Sequence, residues 1–399
     1  MLTDRTRTRS LLKALLLLGL SLPATLRAAD PAPADSLPSN PQTQGIMHGI
    51  FDAISAILPS SFDPAAFGDQ KNHAMVSERL KLLVEKADEL ETHAKSRDQA
   101  FGYMARSFGR DAKNLKRLYE LKQFDHARFV LHNMTENCIH CHSTLPEKTH
   151  FPGAERFLTK IDTGLLSPEE KARLLVMSRQ FDEALNAYEG LLLGETKGHP
   201  FSYETFVEYL RLCINVRSNL TRPQGVLKQI AARPQTPVHV KQQMERWLLS
   251  LKELDKAGAL TQATLAQGRE IISRGKKVME FPRDQDGMIH YLVANAILSR
   301  YVASPKATGA NAAEAYYLLG ITETLMDQSF WVSLSEFYLE TAIRMAPGAP
   351  FAPKAYALLE ENYITGYSGS SGTHLPEDVE ALLKELRQLV EAESKKAKT

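Results

Sequence analysis

The sequence predicts an all-α protein, a four-helix bundle followed by a longer helical array. Three observations predict it. Apolar residues recur at three- and four-residue spacing along most of the chain, which is the period of a helix. Prolines such as Pro59, Pro146, Pro152 and Pro347 punctuate these segments, and a proline inside a helix removes a hydrogen bond and clashes with the preceding turn. The first four segments follow one another with short connections, which makes them an antiparallel bundle. With 399 residues, 43% of them apolar, the chain has material for full cores and, at about 150 residues per domain, for two or three domains.

Residues 1–29 read as a secretory signal peptide. Arg5, Arg7, Arg9 and Lys13 precede the run Ala14–Leu20, and the small-residue segment Ala24–Ala29 follows Pro23. The run is far shorter than the roughly 20 residues a membrane span needs, and no later stretch is long enough, so no membrane span is expected. Export places the mature protein in the periplasm. The formal charge of +1 includes five basic residues against Asp4 in this leader. Losing a net four positive charges leaves about −3, and nothing points to nucleic acid. Residues 30–44, rich in Pro, Ala, Ser and Asn, read as a flexible linker. No cysteine lies near the cleavage region, so a lipid anchor is not expected there.

The bundle is placed at 45–152. Its first helix carries Ile46, Met47, Ile50, Phe51, Ile54, Ile57 and Leu58, and Pro59 is expected to end it. The second covers about 71–95, with Met75, Leu80, Leu83, Val84, Ala87 and Leu90 on one side. The third covers about 97–121 and buries Phe101, Met104, Phe108, Leu115 and Leu118. The fourth covers about 124–142, with Ala127, Val130, Leu131, Met134, Cys138 and Cys141 facing inward.

That fourth helix ends in Cys138-Ile139-His140-Cys141-His142. Cys-x-x-Cys-His is the attachment signature of a c-type haem. Two thiols one helical turn apart can each add to a vinyl group of one porphyrin, and the adjacent histidine can then swing under the ring as proximal iron ligand. By chance the pattern arises in roughly one chain of this length in several hundred, so its context matters. Export is that context, because haem c is attached outside the bacterial inner membrane. Zinc would want a second ligand pair, and the only other cysteine, Cys213, lies in the apolar run Tyr209–Ile214, where it reads as a buried core thiol. A disulfide closing so small a loop would stabilise little and leave His142 without a role.

On these residues the segment resembles the cytochrome c′-type four-helix-bundle haem domain, which also carries its Cys-x-x-Cys-His late in the fourth helix. The likeness covers about a quarter of the chain and rests on helix pattern outside the motif. Family members often follow the histidine with a basic residue, whereas Ser143-Thr144-Leu145-Pro146 follows here. The resemblance implies that an inward residue near the start of the first helix faces the distal side of the haem. Low-spin relatives have methionine there, and high-spin relatives leave an open site. The candidates are Met47 and His48. At 100° per residue Met47 falls near the centre of the apolar arc and His48 falls off it, beside Asp52 and Ser55. The pattern favours Met47 and leaves His48 and an open site as alternatives. His73, His93, His126, His132 and His150 read as solvated histidines at helix surfaces or ends, and Phe101, Tyr103, Phe108 and Phe129 as aromatics able to pack on a porphyrin or in a core.

Residues 153–399 read as a helical array. Ala172–Glu189 resembles a tetratricopeptide repeat, with Ala184 as the small residue at the close helix approach, and so does the unit Ala312–Gly320 with Ser335–Arg344. Between them helices are expected at Phe206–Val216, His239–Lys252 and Leu260–Met279. Such arrays commonly present a concave surface to a protein partner, for which Trp247, Trp331, Tyr316 and Tyr317 are candidate anchors and equally candidate core residues. Gly366–His374 reads as a tight crossing before a last helix, Pro376–Glu391, and 394–399 as a fraying end.

The function expected is that of an exported monohaem c-type cytochrome. Cys138, Cys141 and His142 bind one haem c, Met47 or His48 completes the iron, and the array holds a redox protein partner. The alternative from another class is a haem sensor binding a small gas ligand at an open distal site. A redox enzyme subunit comes third, because no distal His and Arg pair marks a catalytic site, and no catalytic residue is assigned.

Overall fold

The computed structural model describes residues 41–95, 99–144, 166–194, 203–280, 284–326, 334–370 and 372–396. The signal segment, most of the linker and Trp331 lie outside these residues. All described residues belong to one compact unit, Leu37–Thr399, and they are almost entirely helical.

Helix α1 (Pro41–Ser61) starts four residues earlier than the linker boundary implied, with proline at its first position, where the missing N–H costs nothing. It also runs past Pro59, which the sequence had ending it. The hydroxyls of Ser60 and Ser61 donate to the carbonyls of Ile57 and Leu58 at 2.7 Å, satisfying two of the carbonyls that a helix end leaves without an N–H. A short helix not visible in the pattern, α2 (Pro64–Gly68), follows; the Asp63 side chain accepts from the Ala65 N–H at its start. Helices α3 (Gln70–Ala94), α4 (Gln99–Glu120) and α5 (Phe124–Thr144) then pack in succession, α1 on α3, α3 on α4 and α4 on α5. They share one core, with Ile57, Leu80, Leu83, Leu115 and Leu131 almost wholly buried.

The order of partners shows the helices to be antiparallel. Thr43, at the start of α1, bonds His93, at the end of α3. At the opposite end, Ser61 Oγ pairs with His132 Nε2 at 3.0 Å, and Arg128 Nε donates to the Ser61 carbonyl at 2.7 Å.

The array begins with α6 (Pro168–Met177) and α7 (Phe181–Leu192). A capping box opens α6, Ser167 accepting from the Glu170 N–H while Glu170 accepts from the Ser167 N–H. Ala184 is fully buried where the two helices meet. Next comes α8 (Tyr203–Arg211), which widens into a π-helical turn, Leu212–Val216. Helices α7 and α8 are stitched reciprocally: Tyr188 donates to Glu208 and Tyr209 to Glu189, with Arg173 on Glu208 and Arg222 on Glu189.

Helices α9 (Arg222–Ala232), α10 (Val238–Lys256), α11 (Leu265–Val278), α12 (Met288–Val302), α13 (Gly309–Met326), α14 (Leu334–Met345) and α15 (Ala352–Gly366) complete the array in neighbouring pairs. Trp247 is not a surface anchor. It is fully buried, and its indole N–H donates to the Gln285 carbonyl at 2.6 Å. Tyr316 and Tyr317 are half-buried, Tyr317 stacking on Phe351. The Gly366–His374 crossing contains a two-residue antiparallel ladder, Ser368 opposite Thr373 and Gly369 opposite Gly372; Gly372 turns it at φ +107, a conformation only glycine adopts freely. The last helix, α16 (Glu377–Lys396), continues through residues 394–396, which the sequence had fraying.

Two close-packed points give checkable consequences. A Cβ on Gly320 would stand 2.6 Å from Leu339 Cγ and Cδ2, so Gly320→Ala overpacks the α13–α14 contact and is expected to lower stability by about 1–3 kcal/mol, read as a fall in denaturation midpoint. His290 on α12 is buried between helices, and desolvation pushes its imidazole down to about 4, with Arg274 adding to the shift. A folded-state value below the ordinary 6.5 means the unfolded chain takes up the proton first. His290 therefore costs stability as pH falls from about 6.5 toward 4 and nothing above that window. His290→Gln is expected to flatten the stability–pH slope there by up to about 1.4 kcal/mol per pH unit; an unchanged slope would refute it.

The two cores interlock. Met104 of α4 and Ile139 of α5 belong to the core of the array, while Leu166 and Leu174 belong to the core of α1 and α3–α5. Tyr103 of α4 lies against Phe337 of α14, ring centroids 4.8 Å apart.

Candidate functional site

Helix α5 carries the motif because its inward positions, Ala127, Val130, Leu131 and Met134, follow the helical stripe up to Cys138. Cys138 is a free thiol, so it forms no disulfide with its neighbour in the motif. Its Sγ lies 3.8 Å from the Met134 carbonyl, and desolvation pushes the thiol up to about 12, keeping it protonated. The side chains of His140 and Cys141 lie outside the described residues.

His142 sits one turn beyond Cys138 and is half-buried, on a helix that packs on α6. Desolvation, helped by the positive charge of Arg179, holds its imidazole down to about 4, while hydrogen bonds to the backbone of Met177 and Val176 act the other way. The ring is therefore neutral at ordinary pH, the form that binds a metal. Its Nδ1 has no hydrogen-bond partner although it is buried. A metal-binding histidine holds the metal with one nitrogen and commonly donates the other N–H to a carbonyl or carboxylate. The open Nδ1 is a nitrogen of that kind.

The distal candidates lie at the same end. Met47 is fourteen residues before Ser61, and His142 is fourteen after Arg128, which touches Ser61. At about 1.5 Å per residue along antiparallel helices, Met47 and His142 come to one level of the packed helices. Met47 is half-buried and packs on the core, as does Phe51, whereas His48 is exposed. The buried arc of α1 is rotated away from Met47: Ile46, Ile50, Ala53, Ile54, Ser55, Ile57 and Leu58 face inward. Small Ala53 permits close approach, and Ser55 satisfies its hydroxyl on the Asp52 carbonyl, so Met47 flanks the arc that sequence had centred on it.

His93 was missed. Read from sequence as a solvated histidine, it is buried at this same end, with Nε2 2.7 Å from Thr43 Oγ1 and its ring edge-on to Phe101. The signal was present: Leu83, Ala87, Leu90 and Ala94 form one stripe, and His93 follows Leu90 by three residues. His132 faces the other end, bonded to Ser61 and against Phe62. Phe101 and Phe108 are core residues, and Phe129 is 56% exposed, too far out to cover a buried group.

Cys213 is fully buried and free, as expected of a core thiol. Among the described residues no group of three or more His, Cys, Asp or Glu could hold a bare metal ion; a haem iron takes four ligands from its porphyrin and asks the chain for one or two. No helix among those residues is long and apolar enough to cross a membrane. Comparison with models of known protein families, with characterised proteins and with solved structures gives no match.

Proposed function

We propose that this chain is an exported, periplasmic monohaem c-type cytochrome that transfers electrons, with α1 and α3–α5 as the haem bundle. The observation that carries this reading is the Cys138–His142 motif at the end of α5, with a free thiol at Cys138 and a half-buried imidazole with an open, buried Nδ1 at His142. Cys138 and Cys141 would anchor one haem c through thioethers, and His142 would hold its iron from the proximal side. When bound, the haem supplies a one-electron couple.

The chain's own residues determine how that couple behaves. Met47, level with His142, would hold the iron together with it and limit rearrangement between oxidation states. The apolar core around Ile46, Ile50 and Phe101 excludes water. The array, which resembles tetratricopeptide repeats, both braces α4 and α5 and offers its remaining surface to a redox protein partner. The alternative, a sensor taking a small gas ligand at an open distal site, separates from this reading by carbon monoxide binding, and a redox enzyme subunit by turnover.

The test is covalent attachment. Protein expressed with its leader and a haem maturation system is precipitated in acid acetone. Colour is expected to stay in the pellet, one haem per chain, and to leave it when Cys138 and Cys141 are both replaced by serine. Haem extracted from the wild-type protein into the solvent refutes the assignment.

A further inference from the structure

We propose that Arg106, Arg110, Lys113 and Arg117, a basic stripe along the outer face of α4, form the docking surface for an acidic electron-transfer protein. This rests on the haem reading above and adds the chemistry and the place of the redox partner.

Helix α4 packs on α3 and on α5, and its remaining face meets solvent. From Phe101 to Tyr119 only four residues are exposed, and all four are basic. At 100° per residue they fall within an arc of about 60°, and they span about 16 Å of helix. Overall composition does not account for this, because the 48 basic and 47 acidic residues of the chain nearly cancel. On neighbouring α3 the exposed Lys81, Glu85 and Asp88 mix both signs. Local folding argues against the stripe as well. Arg106 and Arg110, Arg110 and Lys113, and Lys113 and Arg117 stand three or four residues apart, where like charges cost a helix about 0.2–0.5 kcal/mol per pair. A face that needed only to be wet would do better with mixed signs.

Nearby acids offset the stripe in part. Lys113 Nζ lies 2.7 Å from Asp88 Oδ1, both side chains 53% exposed, a pair that water screens, and Glu91 adds its charge there. Glu336 and Glu340 of α14 act on the Tyr103 phenol together with Arg106 and Arg110, Glu340 being paired with Arg344 at 2.7 Å.

Position ties the stripe to the haem end. Phe101 stands edge-on to His93 and Lys113 pairs with Asp88, so α4 runs antiparallel to α3 and in the same direction as α1. Arg106, five residues after Phe101, therefore comes level with Met47, four after Thr43. Tyr103 lies against Phe337 of α14, so a protein seated on this end of the stripe also meets the array. Charges on such a surface steer encounter and lose their effect as salt rises. The observations favour a protein over a membrane surface, because no apolar residue is exposed between these basic ones to enter lipid.

The experiment uses the full-length ferric holoprotein and, as electron donor, a reduced, strongly acidic plant-type [2Fe–2S] ferredoxin. One electron passes from the cluster to the haem iron, and no bond or proton moves. Stopped-flow reduction is followed at rising salt for the wild type and for the variant carrying Arg106→Gln, Arg110→Gln, Lys113→Gln and Arg117→Gln. Neutralisation is expected to lower the second-order rate constant at least about tenfold at low ionic strength and to flatten its salt dependence. Spectrum and reduction potential should stay unchanged, and reduction by the cation hexaammineruthenium(II) should not slow. Arg106→Lys, Arg110→Lys and Arg117→Lys together should keep the wild-type rate, since charge is what the stripe supplies. A neutralised protein with the wild-type rate and salt dependence overturns the proposal, as does a fall shared by the ruthenium reaction. Loss of binding to vesicles of anionic phospholipid with an unchanged ferredoxin rate would assign the stripe to a membrane instead and also overturn it. A wild-type protein without covalent haem defeats the haem reading itself.

Discussion

Met47→Ala is expected to convert six-coordinate low-spin iron to a five-coordinate site that binds carbon monoxide. The wild-type ferric protein should show a weak far-red sulfur-to-iron band, lost in the variant, and its potential should exceed that of bis-histidine ligation. The expectation stands on axial level: Met47 and His142 come to the same height on antiparallel α1 and α5, and Met47 touches the core while His48 is exposed. Losing only the thioether leaves the thiol anchors and His142 untouched, so haem content should not change. Two outcomes count against it. A spectrum unchanged in Met47→Ala but converted to high spin in His48→Ala assigns the ligand to the neighbour. Ready carbon monoxide binding by the wild-type protein favours the open-site sensor.

Glu323→Ala is expected to destabilise the array by about 3–5 kcal/mol, the cost of leaving a buried charge without its partner. Glu323 of α13 is 4% exposed and takes both guanidinium nitrogens of Arg211 at 3.1 Å. Asn295 of α12 donates to the same carboxylate at 2.9 Å and to Thr322 at 3.2 Å, and Asn215 in the π-helical turn donates to Asn295 at 2.8 Å. One carboxylate thus ties together α8, its π-helical turn, α12 and α13. The measurement is the denaturant midpoint followed by far-UV circular dichroism. Replacing both Arg211 and Glu323 by apolar residues of similar volume should recover much of the loss, because a buried pair is worth little against good apolar packing. A single-variant loss below about 1 kcal/mol would show that the ion pair is solvated.

Legibility followed amphipathicity. Helices α3, α4 and α5 each bury one stripe, and the pattern placed them to within a few residues. Helix α12 buries nearly every residue from Met288 to Leu298; a helix apolar all round has no stripe, so periodicity passed over it. The end of α1 was misjudged because a proline in the last turn of a helix removes a single backbone hydrogen bond, which pattern alone treats as a stop. Trp247 was left open between anchor and core because an isolated tryptophan reads the same on a surface as in a core until its neighbours are known, and it is core.

The sequence by itself determined what is local: the all-helical fold, the Cys-x-x-Cys-His motif with its cysteines one turn apart, and the absence of a basic residue directly after His142. These depend on residues a few positions apart along one helix. Only the tertiary structure decided that α5 packs on α6, that His93 is buried at the level of Thr43, and that Met104 and Ile139 belong to the core of the array. Each of those facts joins segments tens to hundreds of residues apart. A pairing at that distance is selected by how whole helix faces fit together, and no short window of sequence records it.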